Sequence, residues 1–154
     1  MCIRDRGKCK LATVAFGHGI ATTLLQLSKG YSIISNGGYE ITPTLFKKEK
    51  LQRQRILNEN LSETINPILR KIVSTKEGTA GFANVKGYEI GGKTGTADQP
   101  LKGGYSKKKV NTFASVFPTS DPKFVLAVML DEPKANRDFV YHYRDERYLS
   151  LIHI

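Results

Sequence analysis

Gly91-Gly92-Lys93-Thr94-Gly95-Thr96-Ala97 is the stretch on which the reading of this chain turns. Together with the residues before it, it fits two incompatible patterns. Gly87-Tyr88-Glu89-Ile90-Gly91-Gly92-Lys93-Thr94 satisfies G-x-x-x-x-G-K-[ST], the phosphate-binding loop of nucleotide hydrolases. That loop needs a strand before Gly87 and a helix starting at Lys93-Thr94, so that backbone N–H groups aim at phosphate. Thr94 is followed instead by Gly-Thr-Ala-Asp-Gln-Pro-Leu-Lys-Gly-Gly, which does not start a stable helix, and Gly81 to Lys86 does not read as a buried strand. The competing pattern lays Lys93 to Thr96 along an extended strand. Alternate side chains of a strand share a face, so Thr94 and Thr96 should point together and Lys93 the other way.

Working outward, Phe16-Gly17-His18-Gly19 forms a glycine-rich turn. Thr23 and Gln26 have the spacing of a capping box, and Leu24, Leu27, Tyr31 and Ile34 recur at helical intervals behind it. Asn36-Gly37-Gly38 stops that helix, because glycine takes the left-handed conformation without steric cost. Tyr39 to Leu45 contains Pro43 and reads as an edge strand or extended segment. Residues 46 to 61 are polar and basic, an exposed excursion. A second helix is expected from about Ser62, with Ile65, Ile68, Leu69, Ile72 and Val73 on one side, Pro67 kinking or delaying it, and Glu77 to Gly81 closing it. Three strands follow: Tyr88 to Ala97, Asn111 to Phe117 and Lys123 to Leu130. A lysine-rich loop, Gln99 to Lys109, separates the first two, and Pro118 to Pro122 turns between the last two. Phe124 to Leu130 is continuously apolar, as a central strand buried on both faces is. Helices followed by antiparallel strands indicate an α+β arrangement.

The 154 residues suffice for one ordinary domain, and 40% hydrophobic with 25% charged residues is a globular composition. No apolar run approaches the roughly 20 residues of a membrane-spanning helix. The net charge of +10 fits attraction to nucleic acid, anionic lipid or wall polymer. The lysine groups Lys47-Lys48 and Lys107-Lys108-Lys109 lack the interleaved aromatics of a base-stacking platform, so they read as solvated loops. Cys2 and Cys9 have neither metal-ligand spacing nor a disulfide framework. The two ends share a hidden relation. Met1 to Arg6 back-translates as ATG TGT ATA AGA GAC AG, whose reverse complement, CTG TCT CTT ATA CAC AT, encodes Leu149-Ser150-Leu151-Ile152-His153 and the start of Ile154. An inverted repeat of this kind is expected of a library adapter translated with its insert. Residues 1–8 and 148–154 are therefore set aside as non-native tails, leaving 9–147 as part of a longer gene.

Lys-Thr-Gly accompanies Ser-x-x-Lys and Ser-Asp-Asn in β-lactamases and penicillin-binding proteins. The surroundings of Lys93-Thr94-Gly95-Thr96 resemble that family too: Glu77-Gly78-Thr79 just upstream, Phe16-Gly17-His18-Gly19-Ile20 leading into Leu25-Gln26-Leu27, and Ser35-Asn36-Gly37-Gly38. Phe117-Pro118, Asp121-Pro122 and Leu130-Asp131-Glu132-Pro133-Lys134 continue the match in family order from about Leu11 to Asp145. The chain most resembles the class B, division-specific penicillin-binding proteins, the D,D-transpeptidases that crosslink septal peptidoglycan. The resemblance implies an incomplete penicillin-binding or serine β-lactamase-like α+β fold, helices packed on an antiparallel sheet. It implies peptidoglycan stem peptides and β-lactams as ligands, division-complex membrane proteins as partners of the full protein, and an inner-membrane anchor with a periplasmic domain. It implies no cofactor, no metal and no nucleic acid.

The resemblance also assigns roles. The Thr96 backbone N–H becomes one of two oxyanion donors, a feature worth about 10²–10³ in rate for acyl transfer. Thr94 and Thr96 hydroxyls donate to the substrate's terminal carboxylate, Gly95 keeps the backbone approachable, and Lys93 supplies positive charge. His18 reads as a turn or packing residue and Thr79 as loop geometry. One part is missing. Ser106 to Lys109 and Ser120 to Lys123 satisfy Ser-x-x-Lys formally, yet both lie in loops after the Lys-Thr-Gly segment, the wrong order for the family. Ser35-Asn36-Gly37 is a helix stop rather than the second motif. The nucleophile is therefore expected upstream of Leu11. The alternatives left open are a β-lactam sensor or a non-catalytic penicillin-binding relative.

Overall fold

The computed structural model describes residues 12, 14, 15, 17, 19–46, 54–101, 104–134, 140–143 and 146–149, the last two stretches and Leu101 as backbone only. Helix α1 spans Leu24–Ser35 and α2 spans Asn60–Ser74, with a short 3-10 turn at Gly81–Ala83. Strands β1 (Gly91–Leu101), β2 (Gly104–Phe117) and β3 (Phe124–Asp131) form an antiparallel sheet in the order β1-β2-β3. A separate hairpin pairs β4 (Val140–Tyr143) with β5 (Glu146–Leu149). Helix α2 packs on β1, whereas α1 lies against β2 and β3. The α+β architecture follows the sequence. Of the expected tails 1–8 and 148–154, residues 1–8 and 150–154 lie outside the described residues, as do both cysteines and His18, while Tyr148 and Leu149 fall in β5.

Helix α1 begins as its sequence dictates. The Thr23 hydroxyl accepts from the Gln26 N–H at 3.1 Å, and the Gln26 side chain accepts from the Thr23 N–H at 3.0 Å. Its end is more instructive. Gly37 and Gly38 take φ of +87° and +82°, and the Gly38 N–H reaches the Ile33 carbonyl at 3.1 Å, the outer bond of a Schellman motif. The inner bond, from Gly37 N–H to Ile34 C=O, is replaced by an inserted hydroxyl: Ser62 Oγ accepts from Gly37 N–H at 2.8 Å and donates to Ile34 O at 2.6 Å. Asn66 Nδ2, one turn further along α2, donates to the Ser35 carbonyl at 3.1 Å. A polar seam thus fixes how α1 meets α2. It leaves Ser35, Ser62 and Asn66 buried, residues that apolar periodicity does not count.

Several expectations are corrected. Helix α2 starts at Asn60 rather than near Ser62, with Asn58 Oδ1 accepting from the Asn60 N–H at 3.0 Å. It runs through Pro67 without interruption, because Pro67 and Glu63, whose carbonyl loses its partner, both lie on the exposed side, where water can satisfy that group. Leu69 and Val73 are buried, but Ile68 is half exposed. In α1 the buried apolar residue is Ile33, while Leu24 of the expected stripe is exposed. Of the two alternatives for Tyr39 to Leu45 the extended segment holds: no strand forms, only a bridge from Tyr39 to Arg55. The lysine-rich segment is no free loop. The β1–β2 ladder continues through Asp98 opposite Lys109 to Leu101 opposite Gly104, with a register shift between Asp98 and Pro100. An Asp98–Lys109 ion pair and a Gln99 to Asp131 hydrogen bond hold that extension. Finally, the apolar run 124–130 is not central among the described strands. β2 is central, with Asn111 and Phe113 to Val116 buried, whereas β3 leaves Phe124 60%, Leu126 48% and Met129 48% exposed.

The core gathers Val73 of α2, Ala80, and Phe113 of β2, with Ile72, Ala83 and Ile90 packed around it. Glycines let β1 sit close to α2 on one side and to the Phe113 ring of β2 on the other. A Cβ on Gly91 would fall 2.9 Å from the Arg70 nitrogen, and one on Gly92 would fall 2.7 Å from the Phe113 ring. Arg70 completes the attachment, donating to Ile90 O at 2.7 Å and to Asn84 Oδ1 at 3.0 Å. The start of β1 is thereby clamped on α2.

Candidate active site

Lys93, Thr94, Gly95 and Thr96 lie consecutively on β1, opposite Ala114, Phe113, Thr112 and Asn111 of β2. β1 is an edge of the described three-stranded sheet, so every second backbone N–H along it turns away from β2. The strand runs through Lys93-Thr94 with no helix starting there, which removes the geometry a phosphate-binding loop requires.

The alternation expected of the strand holds. Thr94 shares its face with Phe113, whose ring enters the α2 core, while Lys93 is opposite Ala114 on the other face. The Lys93 side chain is exposed and turns back along the strand, its Nζ donating to the Thr94 carbonyl at 2.6 Å. A long, flexible stem thus returns its charge to the same strand segment that presents the threonines. No carboxylate among the described residues pairs with this ammonium. Thr96 is exposed, and Gly95 packs so closely that a Cβ would stand 2.6 Å from Thr112 Oγ1.

Beyond Thr96 lies an open cleft of about 570 Å³. Thr96, Ala97, Asp98, Pro100 and Tyr105 of the β1–β2 hairpin line one side, and Gly17, Gly19, Ile20 and Ala21 the other. Gly17 and Gly19, at φ +91° and +74°, make the turn that carries this second wall past the strand. The formal Ser-x-x-Lys pairs do not form a nucleophile site. Ser106 lies on β2, where its hydroxyl accepts from the Lys108 N–H at 3.0 Å, and Ser120 sits in the β2–β3 turn, bonded to Glu89. That turn begins with a cis Phe117–Pro118 bond and is closed by Phe117 stacked on Phe124 at 5.4 Å.

One contact was invisible to spacing. Thr79, in the turn after α2, places its hydroxyl 3.0 Å from that of Thr94. The two residues are 15 apart in sequence, and only the return of the chain across the α2 end joins them. Among the described residues no group of three or more His, Cys, Asp or Glu is placed to hold a metal ion, and no helix is long and apolar enough to cross a membrane.

Two helices cover an antiparallel sheet whose edge strand carries Lys93-Thr94-Gly95 and leads, at Thr96, into a cleft, an α+β arrangement. The chain belongs to the family of penicillin-binding protein transpeptidase domains, whose pattern matches residues 3–149. It is 33% identical over 133 residues to a probable peptidoglycan D,D-transpeptidase PenA of Neisseria flavescens, covering 84% of this chain and 32% of that protein. It is likewise 33% identical to the stage V sporulation protein D of Bacillus subtilis and to the probable peptidoglycan D,D-transpeptidase FtsI of Caulobacter vibrioides. Those matches cover 86% and 82% of this chain, and 22% and 23% of those proteins. The apo transpeptidase domain of Burkholderia pseudomallei penicillin-binding protein 3 superposes with a TM-score of 0.77 at 32% identity, over 84% of this chain and 40% of that one. Penicillin-binding protein 3 of Mycobacterium tuberculosis in complex with ampicillin gives 0.69 at 29% identity, over 84% of this chain and 33% of that one. The chain therefore spans about a third or less of the length of these curated relatives.

Proposed function

We propose that this chain is the C-terminal part of a peptidoglycan D,D-transpeptidase domain, crosslinking cell-wall stem peptides by serine acyl transfer and acylated by β-lactams. The observation that supports the reading is the edge strand β1, which carries exposed Lys93, half-buried Thr94 and exposed Thr96 in series, with Thr96 at the wall of the cleft. In this reading Thr94 and Thr96 donate to the substrate's terminal carboxylate, and the Thr96 N–H is one oxyanion donor. Lys93 balances the anion's charge, and Gly95 admits the substrate backbone. The serine nucleophile and its lysine base belong to sequence upstream of Leu11, so residues 91–105 form one wall of the site. The resemblance to the division-specific class, with a relative named FtsI, supports a septal role; by the same resemblance the full protein is membrane-anchored, with its domain outside the cytoplasmic membrane among division proteins.

The test is acylation by fluorescent penicillin in a complete domain, made by joining residues 9–147 to the upstream part of the Burkholderia pseudomallei domain. Labelling should appear, vanish on removal of the nucleophile, and fall about 10- to 150-fold for Lys93→Ala, the loss of one charge-assisted hydrogen bond. Labelling of the present chain by itself would overturn the assignment of the nucleophile to the upstream part.

A further inference from the structure

Thr79 stands outside the residues that the proposed chemistry uses, yet its placement is constrained from both sides. A Cβ on Gly78 would fall 2.0 Å from the Ile72 carbonyl oxygen, so the chain passes flush against the α2 end just before Thr79. Just after it, Ala80 is buried in the core, and its N–H donates to the same Ile72 carbonyl at 3.2 Å. Between these two fixed points the Thr79 hydroxyl meets that of Thr94 at 3.0 Å. Both groups lie towards solvent rather than in the core, so their bond contributes little to holding the fold.

A hydroxyl carries one proton and two lone pairs. If Thr94 spends its proton on Thr79, it turns a lone pair towards any ligand lying along β1. If Thr79 donates instead, the Thr94 proton is released to point outward and is polarised by the bond it accepts. An anion selects the second sense, because the first sets two negative ends face to face. We infer that Thr79 is a positioning residue, which fixes the rotamer of Thr94 and orders the protons as Thr79 to Thr94 to ligand carboxylate. This deepens the transpeptidase reading and rests on it, since the carboxylate is the group that reading gives to Thr94.

The experiment uses the complete domain described above, with Thr79→Val, Thr79→Ser and Thr94→Val. Second-order acylation rates are measured by mass spectrometry with benzylpenicillin and with its carboxyl methyl ester, alongside thermal melts. Thr79→Val should lower the rate with the free acid about three- to tenfold and leave the ester within about twofold, because only the anion reads the ordered proton. Thr79→Ser should restore the acid rate, and the melting temperature should stay within about 1 °C for both. Equal losses with acid and ester would show a merely structural role and overturn the inference. So would an unchanged acid rate for Thr79→Val beside a reduced one for Thr94→Val. Failure of the unsubstituted domain to be acylated at all would refute the transpeptidase reading itself, and the role of Thr79 with it.

Discussion

Removing one hydroxyl, in Ser62→Ala, tests how the two helices are joined. Ser62 is 6% exposed, and its Oγ both accepts from Gly37 N–H at 2.8 Å and donates to Ile34 O at 2.6 Å. Alanine leaves a half-buried donor and a half-buried acceptor unpaired, each costing up to about 1–3 kcal/mol if nothing moves. The two backbone groups are, however, natural partners in a Schellman motif and can close part of the gap between them. The expected net loss is therefore about 2 kcal/mol, well below the sum. For the complete domain, about twice the length of this chain, that lowers the melting temperature by roughly 2–4 °C. Urea unfolding of the complete domain should show a lower midpoint with an unchanged slope, because the surface exposed on unfolding is the same. A loss under about 0.5 kcal/mol would refute the reasoning, showing that the inserted hydroxyl is incidental. Acylation well below the transition should be almost unaffected, since Ser62 reaches neither β1 nor the cleft.

Gly78→Ala should destabilise by about 1–3 kcal/mol or more in the same assay, because the clash at 2.0 Å is with the backbone carbonyl of Ile72 rather than with a movable side chain. Burial pushes the Tyr31 phenol above its ordinary value. Its contribution to stability is therefore fully present below pH ~10 and lost as pH rises through the folded value, and Tyr31→Phe should flatten that alkaline loss in melts recorded against pH. The isolated 154-residue chain should associate as its concentration rises, since β3 exposes Phe124, Leu126 and Met129 along a sheet edge. Cooperative unfolding as a monomer in sedimentation and melting experiments would contradict that expectation.

Local chemistry was legible in the chain wherever a structural event is written in adjacent residues. The capping box of Thr23 and Gln26, the glycine stop at Gly37-Gly38 and the strand character of Lys93 to Thr96 are of this kind. Each depends on backbone preference or on bonds spanning about four residues, which spacing records directly. Spacing is silent where polar groups carry the packing. The extension of the β1–β2 hairpin through Asp98 and Lys109 looks like loop composition, because cross-strand charge pairing leaves no apolar alternation. Helix α2 carries buried Ser62 and Asn66 on its packed side for a similar reason: their partners are carbonyls and amides of α1, some 30 positions away.

By itself the sequence determined that Lys93-Thr94-Gly95-Thr96 is a strand segment rather than a phosphate-binding loop, because the glycines and proline that follow forbid a helix N-terminus. Only the tertiary structure decided what surrounds that segment. Whether the run 124–130 lies at the centre or the edge of the described sheet depends on which strands pair, and hydrophobicity does not encode pairing order. The meeting of Thr79 with Thr94 depends on α2 returning the chain across β1 with glycines at the crossing. Contacts of that sort are set by how closely two backbones can approach, a property of the folded arrangement that no stretch of sequence carries alone.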